Sequence, residues 1–260
     1  NIENIVTKLQ FDYQTWVIDW EEFKDLQISF LKASVANAEI PTDHSFLAAI
    51  YKLCDKHNIK YILNGSNFVT EGIVPKSWGY NSKDLKHLKA IHSLFGKVKL
   101  KTYPFLGFFR EFYYTYFKGI KNVRILNLLP YNKAEAMEII KKELGWQYYG
   151  GKHYESIFTR FFQAYILPNK FGIDKRKGHL STLICSGQIT RAQALEEIKQ
   201  ETYPVDMLKQ DKEYVIKKLG ITDQEFEDIM NLPVKTYKDY PNSESFLKFV
   251  YKLYYKLKKR

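Results

Sequence analysis

Between Gly150 and Gly187 the chain reads GGKHYESIFTRFFQAYILPNKFGIDKRKGHLSTLICSG, a run dense in groups that bind anions or move protons. His153, Glu155 and Arg160 fall on or beside one expected helix, Tyr154–Tyr165. A histidine there can serve as general acid or base, or only orient a ligand; a helix-start histidine without catalytic duty is the commoner case. Arg160 lies too far round the helix from Glu155 for the two to share a face tightly. Gly150 and Gly151 precede a helix start whose free N–H groups point outward, a natural anion site. Pro168 is expected to end the helix. The loop Asn169–Lys177 then carries Lys170, Asp174, Lys175, Arg176 and Lys177 around Gly172 and Gly178. Such cationic density beside glycines argues for a phosphate clamp, with Arg giving planar bidentate contact and Lys a mobile point charge. Asp174 among them is expected to be structural, pairing with a neighbour. His179 and Ser181 open the next expected helix and face the same space.

A second group of candidates follows the apolar run KYILNGSN, which reads as a strand breaking at Gly65. Ligands of open α/β sheets bind outside the carboxyl ends of strands. There Gly65 permits close backbone approach, Ser66 and Asn67 bring donors, and Glu71 brings an acceptor. From the tetrapeptide Asn64–Asn67 alone, an ordinary β-turn is the simpler reading. His87 and His92 sit about 140° apart on one helix, a poor metal pair. Cys54 and Cys185 form no C-x-x-C pair, so neither a disulfide framework nor a structural zinc site is expected, and no metal ligands are assigned.

The elements that must position these groups alternate. Helical spacing marks residues 1–9, Glu21–Ala36 and Ser45–His57; FDYQTWVID, KYILNGSN, VKLKTYPFLGFF and NVRILNLLPY read as extended. Trp78 anchors a loop ahead of the helix bearing His87. After Pro130 the pattern is helical: Asn132–Leu144, Tyr154–Tyr165, Thr190–Glu201, Lys209–Leu219, Thr222–Met230 and Ser243–Lys259. Asn132 and Thr190 are plausible N-caps, with Glu135 and Gln193 three residues on. The last helix has an apolar stripe of Phe246, Val250, Leu253 and Leu257 opposite lysines. It could lie on a membrane, but docking on the body of the protein is the more frequent arrangement. The expected fold is α/β: a partial open layer over residues 1–130, then a mainly helical region over 131–260.

Composition bounds the rest. The 260 residues carry 45% apolar and 27% charged side chains, an ordinary globular balance that excludes wholesale disorder. The net charge of +11 points to anionic partners, although Lys-, Ile-, Tyr- and Phe-rich usage also follows from an AT-rich genome. No apolar run approaches the roughly 18–20 residues that cross a bilayer, so no transmembrane segment is expected. With few cysteines and no signal peptide, a cytoplasmic location is expected. Asn1 is not an initiator Met, so a piece of a longer polypeptide is expected.

The run KHYESIFTRFFQAYILPNKFGIDKRKGHLS resembles the C-terminal part of the N-acetyl sugar amidotransferase family. NGSNFVTEGIVPKSWGY and EIPTDHSFLAAIY resemble its central part, and the resemblance extends to about Tyr203. The family belongs to the PP-loop ATP pyrophosphatases and acts in making lipopolysaccharide O-antigen sugars and the nonulosonic sugars of flagellin. The resemblance implies a partial Rossmann-like PP-loop domain followed by a helical substrate-binding region. It implies ATP and Mg²⁺ as cofactors and a nucleotide-linked N-acetyl sugar as substrate. Its acetamido group would become an acetamidino group, using ammonia from a glutaminase and a cyclase-like channel subunit. By position, Gly65, Ser66, Asn67 and Glu71 match a nucleotide-contacting segment, and Asp43 and His44 match a PTDH motif at a helix entrance. His153, Glu155, Arg160, Lys170, Asp174, Lys175, Arg176 and His179 match the C-terminal block. The family's S-G-G-x-D-S loop and N-terminal cysteine motifs are missing and are expected upstream of Asn1. Without that loop, weak ATP binding and no turnover are expected. Two other readings compete: a non-catalytic docking module for the ammonia-supplying subunits, and a basic nucleic-acid-binding protein. The last lacks any zinc-finger spacing, RRM-like pattern or isolated basic helix, so no nucleic acid is expected as partner.

Overall fold

A computed structural model describes residues 1–151 and 154–258. In chain order, α1 (Ile2–Leu9), α2 (Trp20–Lys32) and α3 (Ile40–Lys56) precede strand β1 (Tyr61–Asn64) and the short α4 (Phe68–Glu71). Then come α5 (Leu85–Phe95), α6 (Phe108–Phe112), strand β2 (Lys121–Arg124) and α7 (Lys133–Leu144). The chain continues through α8 (Ile157–Phe161), α9 (Leu167–Phe171), α10 (Lys175–Cys185) and α11 (Arg191–Lys199). It closes with α12 (Val205–Leu219), α13 (Asp223–Asn231) and α14 (Glu244–Lys258). Strands β1 and β2 pair in parallel.

Capping side chains set several helix starts. The Asn132 carboxamide accepts from the N–H groups of Ala134 and Glu135 at 2.9 and 3.2 Å. Thr190 and Gln193 form a reciprocal capping box, as their spacing predicts. Helix α3 begins at Ile40, ahead of the expected Ser45, because Pro41 suits a first helical turn.

Two expected strands do not form. Residues 11–18 are irregular and run into Asp19, which caps α2. The stretch VKLKTYPFLGFF stays irregular until α6 begins at Phe108. NVRILNLLPY pairs only within β2 before tightening into a turn at Ile125–Asn127.

The chain forms two compact units that interleave along the sequence. The first comprises Asn1–Val17, Tyr61–Gly79 and Asn122–Asp223; the second comprises Ile18–Lys60, Tyr80–Lys121 and Gln224–Arg260. This partition is of a different kind from the sequential division expected near residue 130.

In the first unit, Phe161, Phe162, Ile166 and Leu167 are buried, as are Leu180 and Leu183 of α10 and Val215, Ile216 and Leu219 of α12. Pro168 does not end the helix, contrary to expectation. It lacks the N–H that would bond residue 164, and the widened turn Phe162–Ile166 lies directly ahead of it, joining α8 to α9. The helical run ends instead at Gly172, whose φ of 65° is the left-handed conformation that favours glycine. The expected loop therefore shrinks to residues 172–174, and Lys175 already belongs to α10.

In the second unit, α2 packs on α3 and α5 around Leu26, Phe30, Ile40, Leu88, Ile91 and Leu106. The irregular segment beyond α5 has no partner strand. Its donors go to α2 instead: the Glu22 carboxylate accepts from the N–H groups of Lys101, Thr102 and Tyr103 at 2.8–3.0 Å. Asp25 accepts from Lys97 and Val98 at 3.0–3.1 Å. Burial alone would raise the Glu22 pKa, but these N–H groups outweigh it and hold the carboxyl below its usual range. Asp84 caps α5 through the His87 N–H at 3.1 Å and also accepts from Ser243 N–H at 2.6 Å, Ser243 Oγ at 2.8 Å and the Tyr237 hydroxyl. Lys235 N–H donates to Ser34 O at 2.9 Å and the Tyr240 hydroxyl to Ala33 O at 2.8 Å. Of the expected α14 stripe, Phe246 packs on Phe108 and Val250 is half-buried, while Leu253 is 48% exposed.

His87 is fully enclosed, with Nε2 3.0 Å from the Asn37 carboxamide and Tyr237 packed on its ring. Burial pushes its pKa down to about 4, against the attraction of the Asp84 carboxylate. The unfolded ring titrates near its ordinary value, so between these pH values the unfolded chain binds more protons. His87 therefore contributes stability that is full above about pH 6.5 and is lost as pH falls toward 4. Urea denaturation should show a loss of about 2 kcal/mol from this residue between pH 7 and pH 5. His87→Gln should flatten most of that slope, the remainder belonging to His44, whose pKa burial also lowers. An unchanged slope in the variant would exclude His87 as its source.

Candidate functional site

In the first unit the segment after β1 is built around its own side chains. The Asn64 carboxamide accepts from Ser66 N–H at 2.7 Å, and the Asn67 carboxamide accepts from Thr70 N–H at 2.9 Å and Thr70 Oγ1 at 3.1 Å. Asn67 also donates to Gly65 O at 3.2 Å and is buried. The carboxamides of this tetrapeptide thus shape a turn and cap α4, as the simpler reading had it. Gly65 has no positive φ, and the space where a side chain would project is open. That leaves room beside its backbone without requiring a glycine. Glu71 is exposed at the end of α4.

This segment docks on α10, 109 residues further along the chain, through side chain–backbone hydrogen bonds. Ile73 N–H donates to Thr182 Oγ1 at 3.0 Å, and His179 Nδ1 lies 3.1 Å from Thr70 O. Ser186 Oγ donates to Val69 O at 2.7 Å. Gly178 lets the two approach, since a Cβ there would lie 3.2 Å from Ile73 O and 3.4 Å from the Trp78 ring. Because a carbonyl accepts, His179 Nδ1 carries the proton in this bond. The residues that meet α10 are thus Val69, Thr70 and Ile73, in the same segment as Gly65, Ser66, Asn67 and Glu71.

A second cluster gathers Arg160, Asp174 and Arg176. Arg160 Nε and Nη2 donate to the two oxygens of Asp211 at 2.5 and 2.7 Å, and Nη1 donates to Tyr154 O at 3.2 Å. The Tyr203 hydroxyl also donates to Asp211. Burial alone would raise the Asp211 pKa; the bonds from Arg160 and Tyr203 outweigh it and hold the carboxyl below its usual range. Burial and the Asp211 carboxylate push Tyr203 well up. Asp174 caps α10, accepting from Arg176 N–H at 3.0 Å and from the same residue's guanidinium at 2.8–3.2 Å. Arg176 Nη1 reaches Gln200 O at 2.8 Å, and the Tyr154 hydroxyl reaches Thr202 O at 3.2 Å. Arg160 and Arg176 are thereby committed to strapping residues 200–203 to the helices, as Asp174 is to capping and pairing.

Lys170, Lys175 and Lys177 differ in setting. Lys170 stands in the last turn of α9, where the helix dipole favours it, and burial lowers its pKa. Lys175 and Lys177 stand in the first turn of α10, which has no acidic residue. There the dipole adds to their positive potential instead of offsetting it. This is an electropositive corner able to hold an anion.

Other candidates lie elsewhere. Asp43 and His44 belong to the second unit. Asp43 accepts from the Tyr80 hydroxyl at 3.4 Å. His44 is fully enclosed, with Nδ1 2.8 Å from Ser82 O and Nε2 accepting from Leu106 N–H at 3.0 Å. Both nitrogens are used by backbone, so His44 acts as a brace. Glu155 precedes the Ser156 cap of α8 instead of sitting within a first turn. His153 lies outside the described residues. Among the described residues, no three His, Cys, Asp or Glu side chains group to hold a metal ion.

Sequence reasoning missed Asp211, Tyr203, Tyr154 and Thr182. Asp211 had a readable signal: it lies four and eight residues before Val215 and Leu219, an acid on a buried stripe that demands a basic partner.

Residues 155–258 match a family model described as LPS biosynthesis protein WbpG-like, C-terminal domain. The match covers Glu155, Arg160, Lys170, Asp174, Lys175, Arg176 and His179 and continues past Tyr203, where the earlier resemblance ends. It supports an LPS-related sugar biosynthesis family and involvement in LPS biosynthesis. No curated protein and no solved structure matches the chain. No helix of the described residues is long and apolar enough to cross a membrane.

Removing one partner of a buried pair leaves the other charge uncompensated. Asp211→Ala should therefore destabilise the fold by about 3–5 kcal/mol in urea denaturation. Arg160→Met combined with Asp211→Leu should recover most of that. Arg160→Lys should not substitute, because a point charge cannot bridge both oxygens.

Proposed function

We propose that the chain is part of an ATP-dependent amidotransferase that converts the acetamido group of a nucleotide-linked sugar to an acetamidino group. The match over residues 155–258 supports the lipopolysaccharide setting. The observation that carries the finer reading is the docking of residues 69–73 on α10. It supports the reading because residues 69–73 overlap and follow the segment that the resemblance implies contacts nucleotide, and they meet the helix that bears Lys175, Lys177 and His179.

In this reading Lys175 and Lys177 hold the phosphates of the sugar nucleotide at the N-terminus of α10. His179, fixed to Thr70 O through Nδ1, is the ionisable group nearest this segment. Arg160, Asp174 and Arg176 position the walls and touch no substrate. Bound ATP would supply the activation of the amide oxygen. With no carboxylate cluster among the described residues, Mg²⁺ would arrive with the phosphates. The parallel pair β1–β2 also favours this reading. Parallel sheets are ordinarily covered on both faces, yet Tyr61 and Leu63 are 61% and 71% exposed, as expected for part of a larger layer. A glutaminase and a cyclase-like subunit would provide ammonia.

Calorimetric titration with a UDP-linked N-acetyl sugar tests the reading. The purified chain should bind it, and Lys175→Ala combined with Lys177→Ala should weaken binding at least about tenfold. The chain alone should form no amidinated sugar. If the double variant loses affinity only for single-stranded RNA, the sugar reading fails and the nucleic-acid reading replaces it.

A further inference from the structure

The second unit carries an aromatic surface that its own core does not use. α6 and the widened turn that follows it, Tyr113–Phe117, expose Phe109 (77%), Phe112, Tyr113, Tyr116 and Phe117 (75%). This patch continues onto α14: the Phe246 ring lies 5.4 Å from Phe108 and 6.2 Å from Phe109. From Phe246 the exposed rings and chains of Phe249 and Leu253 extend it at helical spacing. Glu244 is the only acid in α14, against Lys248, Lys252 and Lys256 on an adjoining stripe.

We propose that this face seats the protein on an anionic lipid surface, with Phe109, Phe112, Phe117, Phe246 and Phe249 entering the headgroup boundary and the lysines of α14 meeting lipid phosphates. The chemistry selects this occupant over a protein. Protein interfaces are depleted in Lys at their cores, whereas interfacial helices combine Lys on one face with Phe and Leu on the other. Tyr113 and Tyr116 add amphipathic rings suited to headgroup depth. A second copy of this chain would bring its own +11 charge against the same face, while an anionic bilayer brings the complementary sign. Arg110 on α6 lies close enough to Lys52 to lower its pKa, after burial, and an anionic headgroup would relieve that repulsion. The proposal is independent of the sugar reading, and either can fail without the other.

Cosedimentation with phosphatidylcholine vesicles, with and without phosphatidylglycerol, tests it. The chain should pellet with the anionic vesicles and release as salt is raised. Phe109→Ser combined with Phe117→Ser should weaken binding at least about tenfold. Lys252→Glu combined with Lys256→Glu should do the same while leaving the rings in place. All four positions are exposed, and circular dichroism should show native helix content in both variants. Failure to bind, equal binding to neutral vesicles, or variants that bind like the parent would overturn the proposal. So would a dimer in light scattering that the Phe substitutions abolish, which would assign the face to a second copy.

Discussion

Backbone that belongs to neither helix nor sheet must still send its N–H groups somewhere, because a buried unpaired donor costs about 1–3 kcal/mol. The described residues hold a single two-stranded sheet and several irregular stretches that cross the cores. Carboxylates on helices take the place of the absent strands. Glu22 and Asp25 tie down residues 97–103, and Asp84 receives donors from Tyr237 and Ser243. Each acid accepts from several donors at once, so its loss would strand all of them. Surface pairs such as Lys141–Glu138 and Lys199–Glu196 are of another order, worth about 0.2–1 kcal/mol at most.

The same device builds the candidate site. Asp211 gathers Arg160 and Tyr203, and Asp174 gathers Arg176, which in turn holds Gln200. Two arginines that look like clamp residues are thus consumed in fixing the strap. A wall built of paired charges is rigid, and rigidity is what a binding site asks of its supports. Lys175 and Lys177, set on the helix start, are the point charges to which the proposed anion is assigned.

What could be read from the chain was what is decided locally. The caps at Asn132 and Thr190 depend on three or four neighbouring residues, and so does the role of Asp174 beside Arg176. The expected strand VKLKTYPFLGFF has the right alternation, but its donors are claimed by Glu22 and Asp25, some 70 to 80 residues away. Pro168 reads as a helix stop by propensity, yet the widened turn ahead of it frees the position, and packing of Phe161, Phe162 and Ile166 repays the irregular turn. His44 resembled a ligand because its neighbours formed a motif, whereas its two hydrogen bonds to Ser82 and Leu106 are long-range and unreadable from spacing.

The distribution of positive charge separates two surfaces that composition merges. On α10, three cations crowd one turn at the end where the helix field is already positive, beside the Asp174 carboxylate that pairs with Arg176. That arrangement opposes folding and is tolerable where a bound anion repays it. On α14 the lysines are spread over successive turns beside exposed rings, so water screens each separately and their mutual repulsion is small. Their cost lies instead in the apolar stripe they border, which water solvates poorly. A compact polyanion would relieve the first frustration and an extended anionic surface the second, so on the two proposals one net charge of +11 would serve two distinct chemistries.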